Sequence, residues 1–163
     1  DYAEVKQLMQ VFNFLPKNFS LIIKVHPHID SSRYEKLIKH RRVTLKPGEE
    51  MLESLLEEVD LLITPASEAI FEALVRHIPV LFFIKNKKWR DVSHSLFNFD
   101  DEEEKELVVY DKKSLQKKIK KTLSSQSSIE NAIDYQLKFL NKRIKISSDP
   151  KGSTKLIDQI LNK

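Results

Sequence analysis

Four short stretches, "FSLIIKVHP", "DLLIT", "IPVLFFI" and "ELVVYD", hold apolar runs with almost no polar alternation. A strand with one face in water alternates apolar and polar residues, so these runs call for a sheet covered on both faces. Stretches with helical spacing separate them, and that order of elements gives βαβ units with parallel strands. "RRVTLKP" supplies one more strand, stopped by Pro47-Gly48. The 163 residues suit a single domain. The fold expected is an open, doubly wound α/β domain with a parallel sheet of about five strands and helices on both faces.

The intervening segments have the spacing of helices. Tyr2 to Phe14 carries Val5, Leu8, Met9 and Phe12 on one face. Asp30 and Ser31 are candidate caps for "SSRYEKLIKH", whose inner face is Tyr34, Leu37 and Ile38. "EEMLESLLEEV" and "SEAIFEALVRH" read as helices, as do Lys112 to Leu123, Ile129 to Ile144 and Thr154 to Leu161. Residues 129–163 are therefore expected to form C-terminal helices. The acidic run Asp100 to Glu106 and the lysine run Lys112 to Lys121 read as solvated surface.

Several chemistries are excluded by what the chain lacks. It has no cysteine, which removes disulfides and thiolate metal sites. With only two glycines it has neither a P-loop nor a G-x-G-x-x-G fingerprint. His, Asp and Glu show no metal-ligand spacing. The net charge of +4 favours anionic ligands in general and points to no nucleic acid. No apolar stretch approaches the roughly 20 residues that span a bilayer. The first residues lack the pattern of a signal peptide, so a cytoplasmic location is expected. A start without Met, inside an apparent helix, fits a piece of a longer protein.

In open α/β sheets ligands bind beyond the carboxyl ends of the strands. That rule selects His26, Pro27 and His28; Lys46, Pro47 and Gly48; Thr64, Pro65, Ala66, Ser67 and Glu68; and the loop from Lys85 to Phe97 with Lys87, Lys88, Trp89, Arg90, His94 and Ser95. Ser67 stands where a helix begins, where free backbone N–H groups suit a phosphate, and it equally suits a cap on its own helix. His26 donates to a phosphate oxygen, or protonates a leaving group, or closes its strand on a neighbouring carbonyl. Glu72 falls one turn after Glu68, so the two share a face, either taking ribose hydroxyls or facing water. Glu68 also complements the helix dipole.

Taken together, "KVHP" and "ITPASEAIFEALVRHIPVLFF" resemble the donor-binding half of GT-B fold transferases that build bacterial surface polymers. The likeness is to the teichoic-acid CDP-glycerol glycerophosphotransferase family and the related capsule polysaccharide and polysialic-acid transferases. Lys24, His26 and Pro27 match a K-x-H-P strand end. Thr64, Ser67, Glu72, Pro79, Val80, Leu81, Phe82 and Phe83 match the later strand–helix–strand segment, and Gly152, Ser153 and Lys155 echo its closing motif.

The resemblance implies that residues 1–163 are a nucleotide-donor-binding Rossmann-like domain, one half of a GT-B fold, with the acceptor half on an absent N-terminal domain. By position, His26 becomes the catalytic residue and a phosphate ligand. Pro27, Thr64, Ser67 and Glu68 become nucleotide-binding residues, and Glu72 a ribose ligand. The donor is a CMP-, CDP-, UDP- or GDP-linked sugar or polyol, with no further cofactor or metal. The acceptor is a glycan or lipid-linked molecule, and the full protein is expected at the inner face of the cell membrane. The isolated piece is expected to bind nucleotide weakly and to transfer little.

This sequence departs from the family at Pro65-Ala66, at Glu68 and at His77, where the family has Asp-Tyr, a serine and a helix-closing glycine. Those departures favour a sugar nucleotide over CDP-glycerol. Two other readings stay open: a GT-B-like UDP-GlcNAc 2-epimerase domain, and a non-catalytic nucleotide-binding module, which Pro65-Ala66 and His77 suggest.

Overall fold

The apolar runs become strands, each shorter than its run. The computed structural model describes residues 2–36, 38, 40–65, 67, 69–85 and 107–146, with side chains as far as Lys138. In chain order the elements are α1 (Tyr2–Phe12), β1 (Leu21–Lys24), α2 (Ser32–Glu35), β2 (Val43–Lys46), α3 (Leu52–Leu56) and β3 (Leu62–Thr64). They continue with α4 (Ala69–Val75), β4 (Val80–Phe83), β5 (Val108–Val109), α5 (Lys112–Thr122) and α6 (Gln126–Ile146). The final helix predicted at Thr154 to Leu161 lies outside the described residues.

Every ladder is parallel. β1 pairs with β2, Leu21 opposite Val43 and Lys24 opposite Lys46. β4 lies between β3 and β5, with Thr64 opposite Phe82 and Phe83 opposite Val109. Among the described residues this makes a two-stranded and a three-stranded sheet, and one continuous sheet of five is not seen. The ladders extend into the flanking backbone. Leu21 and Val25 donate to Arg42 and Lys46 on the β2 side, while Leu62 donates to Pro79 on the β4 side.

β4 is buried at every position, and its side chains alternate between two cores. Val80, Phe82 and Ile84 join Leu56 of α3 and Ile70, Ala73 and Leu74 of α4, with Tyr135 and Leu137 of α6 packed against them. Leu81 and Phe83 join Val11 and Phe12 of α1 and Leu115 and Ile119 of α5. Helices thus cover both faces of β4, which is why its sequence has no polar alternation. Burial of each phenylalanine contributes roughly 2 kcal/mol. Leu21, Val43, Leu61 and Ile63 pack on the α1–α5 core, so both sheets rest on it.

Three local devices fix this arrangement. Arg42 donates to the carbonyls of Pro16 (2.9 Å) and Phe19 (2.8 Å), with its guanidinium 4.6 Å from the Phe12 ring centroid. It ties the end of α1 to β2. Asp111 caps α5 by accepting from the Ser114 hydroxyl (2.6 Å) and amide (2.9 Å), which hold its carboxyl below the ordinary value. The helix predicted over "SSRYEKLIKH" reduces to the single turn of α2. Asp30 spends its carboxylate on the Ser32 amide at 2.9 Å, and Ser31 makes no side-chain cap.

The third device is Gln136 of α6, which is only 4 % exposed. Its Oε1 accepts from the Val80 N–H at 2.9 Å and its Nε2 donates to the Val80 carbonyl at 2.7 Å. The carboxamide completes the ladder where β4 begins. Gln136→Leu keeps the packing volume and leaves both Val80 groups without partners. The expected loss is about 2 kcal/mol, read as a lower urea midpoint at unchanged slope. A midpoint equal to the parent's would show that water replaces the carboxamide.

α4 ends in a left-handed residue, His77, with φ of 56°. His77 N–H donates to Leu74 O at 3.0 Å and Ile78 N–H to Ala73 O at 2.9 Å, the pairing of a Schellman motif. A side chain there carries a cost of about 1 kcal/mol that glycine lacks. His77→Gly is therefore expected to stabilise the chain by somewhat less than that, because glycine also loosens the unfolded state. The thermal midpoint should rise by roughly 2 °C. A fall would mean that the imidazole contributes contacts that outweigh the strain.

Candidate functional site

The loop after β1 folds back on His26. Val25 is buried, whereas His26, Pro27 and His28 are exposed. Ile29 N–H donates to the His26 carbonyl at 2.9 Å, and His28 N–H donates to His26 Nδ1 at 3.3 Å. A neutral imidazole that accepts at Nδ1 carries its proton on Nε2. His26 therefore presents an N–H, suited to a phosphate oxygen, and not a lone pair suited to removing a proton. The His28 ring lies against it, with centroids 5.2 Å apart and planes 47° apart.

The loop after β2 is pressed onto the same backbone. A Cβ on Gly48 would lie 2.4 Å from Pro27 Cα, 2.8 Å from Pro27 N and 3.0 Å from the His26 carbonyl carbon. Only glycine permits that approach. Lys24 Nζ donates to the Gly48 carbonyl at 3.0 Å, a brace from β1 across to the second loop. Lys46 Nζ pairs with Glu50 at 2.7 Å, and this hydrogen bond raises the lysine's pKa above its ordinary value. Both lysines at this edge are thus engaged within the protein. The sequence marks Gly48 as a strand stop and places it at the edge where ligands bind, without showing that it packs against the His26–Pro27 backbone.

The loop after β3 supplies the remaining groups. Thr64 is buried at the strand end, and Pro65 and Ser67 are half-buried. Ser67 Oγ accepts from Ala69 N–H at 3.3 Å, and Ser67 O accepts from Ile70 N–H at 3.3 Å. Ser67 does cap α4, and its hydroxyl proton remains to donate elsewhere. Glu72 is half-buried on α4. Its carbonyl accepts from Arg76 Nη1 at 3.2 Å, and Arg76 Nη2 lies 3.6 Å from Glu53 on α3. Glu68 and Ala66 lie outside the described residues, so the face predicted for Glu68 and Glu72 is described only at Glu72.

The structure groups these residues in two sets. His26 and Pro27 stand with Lys24 and Gly48 on the β1–β2 sheet, and Thr64, Ser67 and Glu72 stand at β3 and α4. Among the described residues no hydrogen bond joins the two sets. Lys87, Lys88, Trp89, Arg90, His94, Ser95, Gly152, Ser153 and Lys155 lie outside the described residues. Among the described residues no group of three or more His, Asp or Glu is arranged to hold a metal ion. No described helix is long and apolar enough to cross a membrane.

A family model described as CDP-glycerol:poly(glycerophosphate) glycerophosphotransferase matches residues 4–162. No curated protein and no solved structure matches the chain.

Proposed function

The chain belongs to the CDP-glycerol:poly(glycerophosphate) glycerophosphotransferase family, and from that premise we propose that it binds the nucleotide-activated donor of a teichoic-acid-type polymerisation. The domain acts as the Rossmann-like, doubly wound donor half of a GT-B enzyme, with the crevice between the ends of β1 and β3. The donor is CDP-glycerol or a close cytidine relative. The family's own description names it, and that outweighs the departures at Pro65-Ala66 and His77 that favoured a sugar nucleotide. The enzyme is a transferase whose acceptor is a growing glycerophosphate chain.

In that reading a terminal hydroxyl oxygen of the acceptor bonds to the phosphorus that carries glycerol and releases its proton to water. The bond from that phosphorus to the bridging oxygen breaks, and CMP departs with the electron pair. His26 Nε2–H donates to the departing phosphate as its charge grows, which is where a hydrogen bond lowers the barrier. The Ser67 hydroxyl donates to the same diphosphate, Thr64 and Pro65 shape the strand end, and Glu72 accepts from the ribose hydroxyls. The observation that carries the reading is the engaged Nδ1 of His26, which leaves an exposed N–H donor on a K-x-H-P strand end.

Calorimetry with CDP-glycerol, CMP, CDP, UMP, UDP and GDP tests it. Cytidine nucleotides should bind best, and Ser67→Ala should weaken them about tenfold through loss of one hydrogen bond to a charged group. A folded sample that takes up no cytidine nucleotide would end the proposal.

A further inference from the structure

Outside the candidate site, the strongest charge asymmetry among the described elements lies on α5. The helix "KKSLQKKIKKT" holds six lysines and no acidic residue. Its apolar residues, Leu115 and Ile119, are buried in the α1–α5 core. At 3.6 residues per turn the direction opposite those two passes through Lys117, with Lys113, Lys120 and Lys121 on either side. Lys113, Lys117, Lys120 and Lys121 are all exposed. Among the described residues none of these four is in an ion pair. Lys112 stands apart, donating to Gln10 Oε1 at 2.8 Å.

We propose that the Lys113–Lys117–Lys121 stripe is the docking track for the polyanionic acceptor, a chain of glycerol phosphates. This rests on the functional reading above and departs from the expectation that the acceptor is held by the other half alone. Residues four apart on a helix are separated by about 6 Å along the axis, so the stripe offers a cation at each such step. A polyol phosphate chain carries one negative charge per flexible three-carbon repeat, and its successive phosphates can match that rise. The placement suits delivery. β5 runs parallel to β3 and β4 and ends at Val109, and α5 starts directly after it, capped by Asp111. Lys113 is therefore at the edge where β3 delivers Thr64, and Lys121 is at the far end of the helix.

The same stripe argues against a lipid surface. A helix that docks into a membrane exposes apolar side chains on the side that meets it, and the apolar residues of α5 face the core. Nucleic acid has the right charge, but the α5 stripe offers no aromatic side chain on which bases could stack.

The test uses the full chain and a fluorescent glycerol phosphate oligomer. Binding should weaken linearly in log affinity with log salt. K113Q/K117Q/K121Q should weaken it about tenfold near 0.1 M salt and lower the salt slope by about two, while K113R/K117R/K121R binds as the parent does. Far-UV dichroism and the thermal midpoint of both variants establish that they fold. CDP-glycerol affinity, measured on the same samples, reads the donor site alone. If it is absent while the oligomer binds through the stripe, the functional reading fails and the track stands. If it is present while the triple glutamine variant binds the oligomer like the parent, the track is overturned. Equal or tighter binding of anionic vesicles or of a single-stranded oligonucleotide also overturns it.

Discussion

His26→Ala is expected to leave the fold intact and, on the donor-binding reading, to lower transfer from CDP-glycerol by about a hundredfold or more. The fold should survive because the side chain is exposed and its one described hydrogen bond is accepted from His28 N–H within the same loop. The rate should fall because the Nε2–H donor is lost, and the lysines of this edge are held by partners within the protein. Lys24 is committed to the Gly48 carbonyl and Lys46 to Glu50. The loss should appear in kcat more than in KM, since the donated hydrogen bond strengthens as charge moves onto the departing phosphate.

His28→Ala makes the contrast. The tautomer of His26 is set by the backbone N–H of residue 28, which alanine keeps, so only the ring contact at 5.2 Å is lost. That change should cost little, a few-fold at most. His28→Pro removes the N–H and opens the second tautomer of His26, so its loss should lie between those of His28→Ala and His26→Ala. Equal activity of the proline variant and the parent would show that the tautomer is not what makes His26 act.

Much of this was legible because short buried strands advertise themselves. "VLFF" could only be a strand covered on both sides, and β4 is that strand, dividing its side chains between the α3–α4 and α1–α5 cores. K-x-H-P also marked where β1 ends. Two things were hidden in it. In an amphipathic pattern Gln136 reads as one more polar position, because its role depends on meeting β4 from 56 residues away. The pairing of the strands was hidden for the same reason. Apolar runs specify strands but not partners, so the β1–β2 and β3–β4–β5 ladders could not be separated by pattern alone. At the site, the residue types were legible and their commitments were not. Ser67 faces its own helix start and Lys24 faces a carbonyl, facts set by loops that turn in three dimensions.

Gly48 is where that hidden geometry has its largest consequence. Its φ is not in the left-handed region, so alanine meets no backbone prohibition there, and the objection is purely one of space. A methyl group 2.4 Å from Pro27 Cα has no flexible side chain to push aside, because the atoms it meets are main chain. The two loops must separate by roughly 1 Å to reach ordinary contact. That separation stretches the Lys24–Gly48 bond and carries His26 and Pro27 away from the proposed donor site. Gly48→Ala is therefore expected to destabilise the chain by about 3 kcal/mol and to weaken cytidine nucleotide binding at temperatures where it remains folded. Lys24→Met separates the two effects, since it removes the brace and leaves the close approach. Its cost in stability should be nearer 1 kcal/mol, with a similar direction but smaller loss in nucleotide affinity. Should Gly48→Ala match the parent in both urea midpoint and nucleotide affinity, the β1 and β2 loops do not hold each other in place, and the position of His26 is set by its own turn.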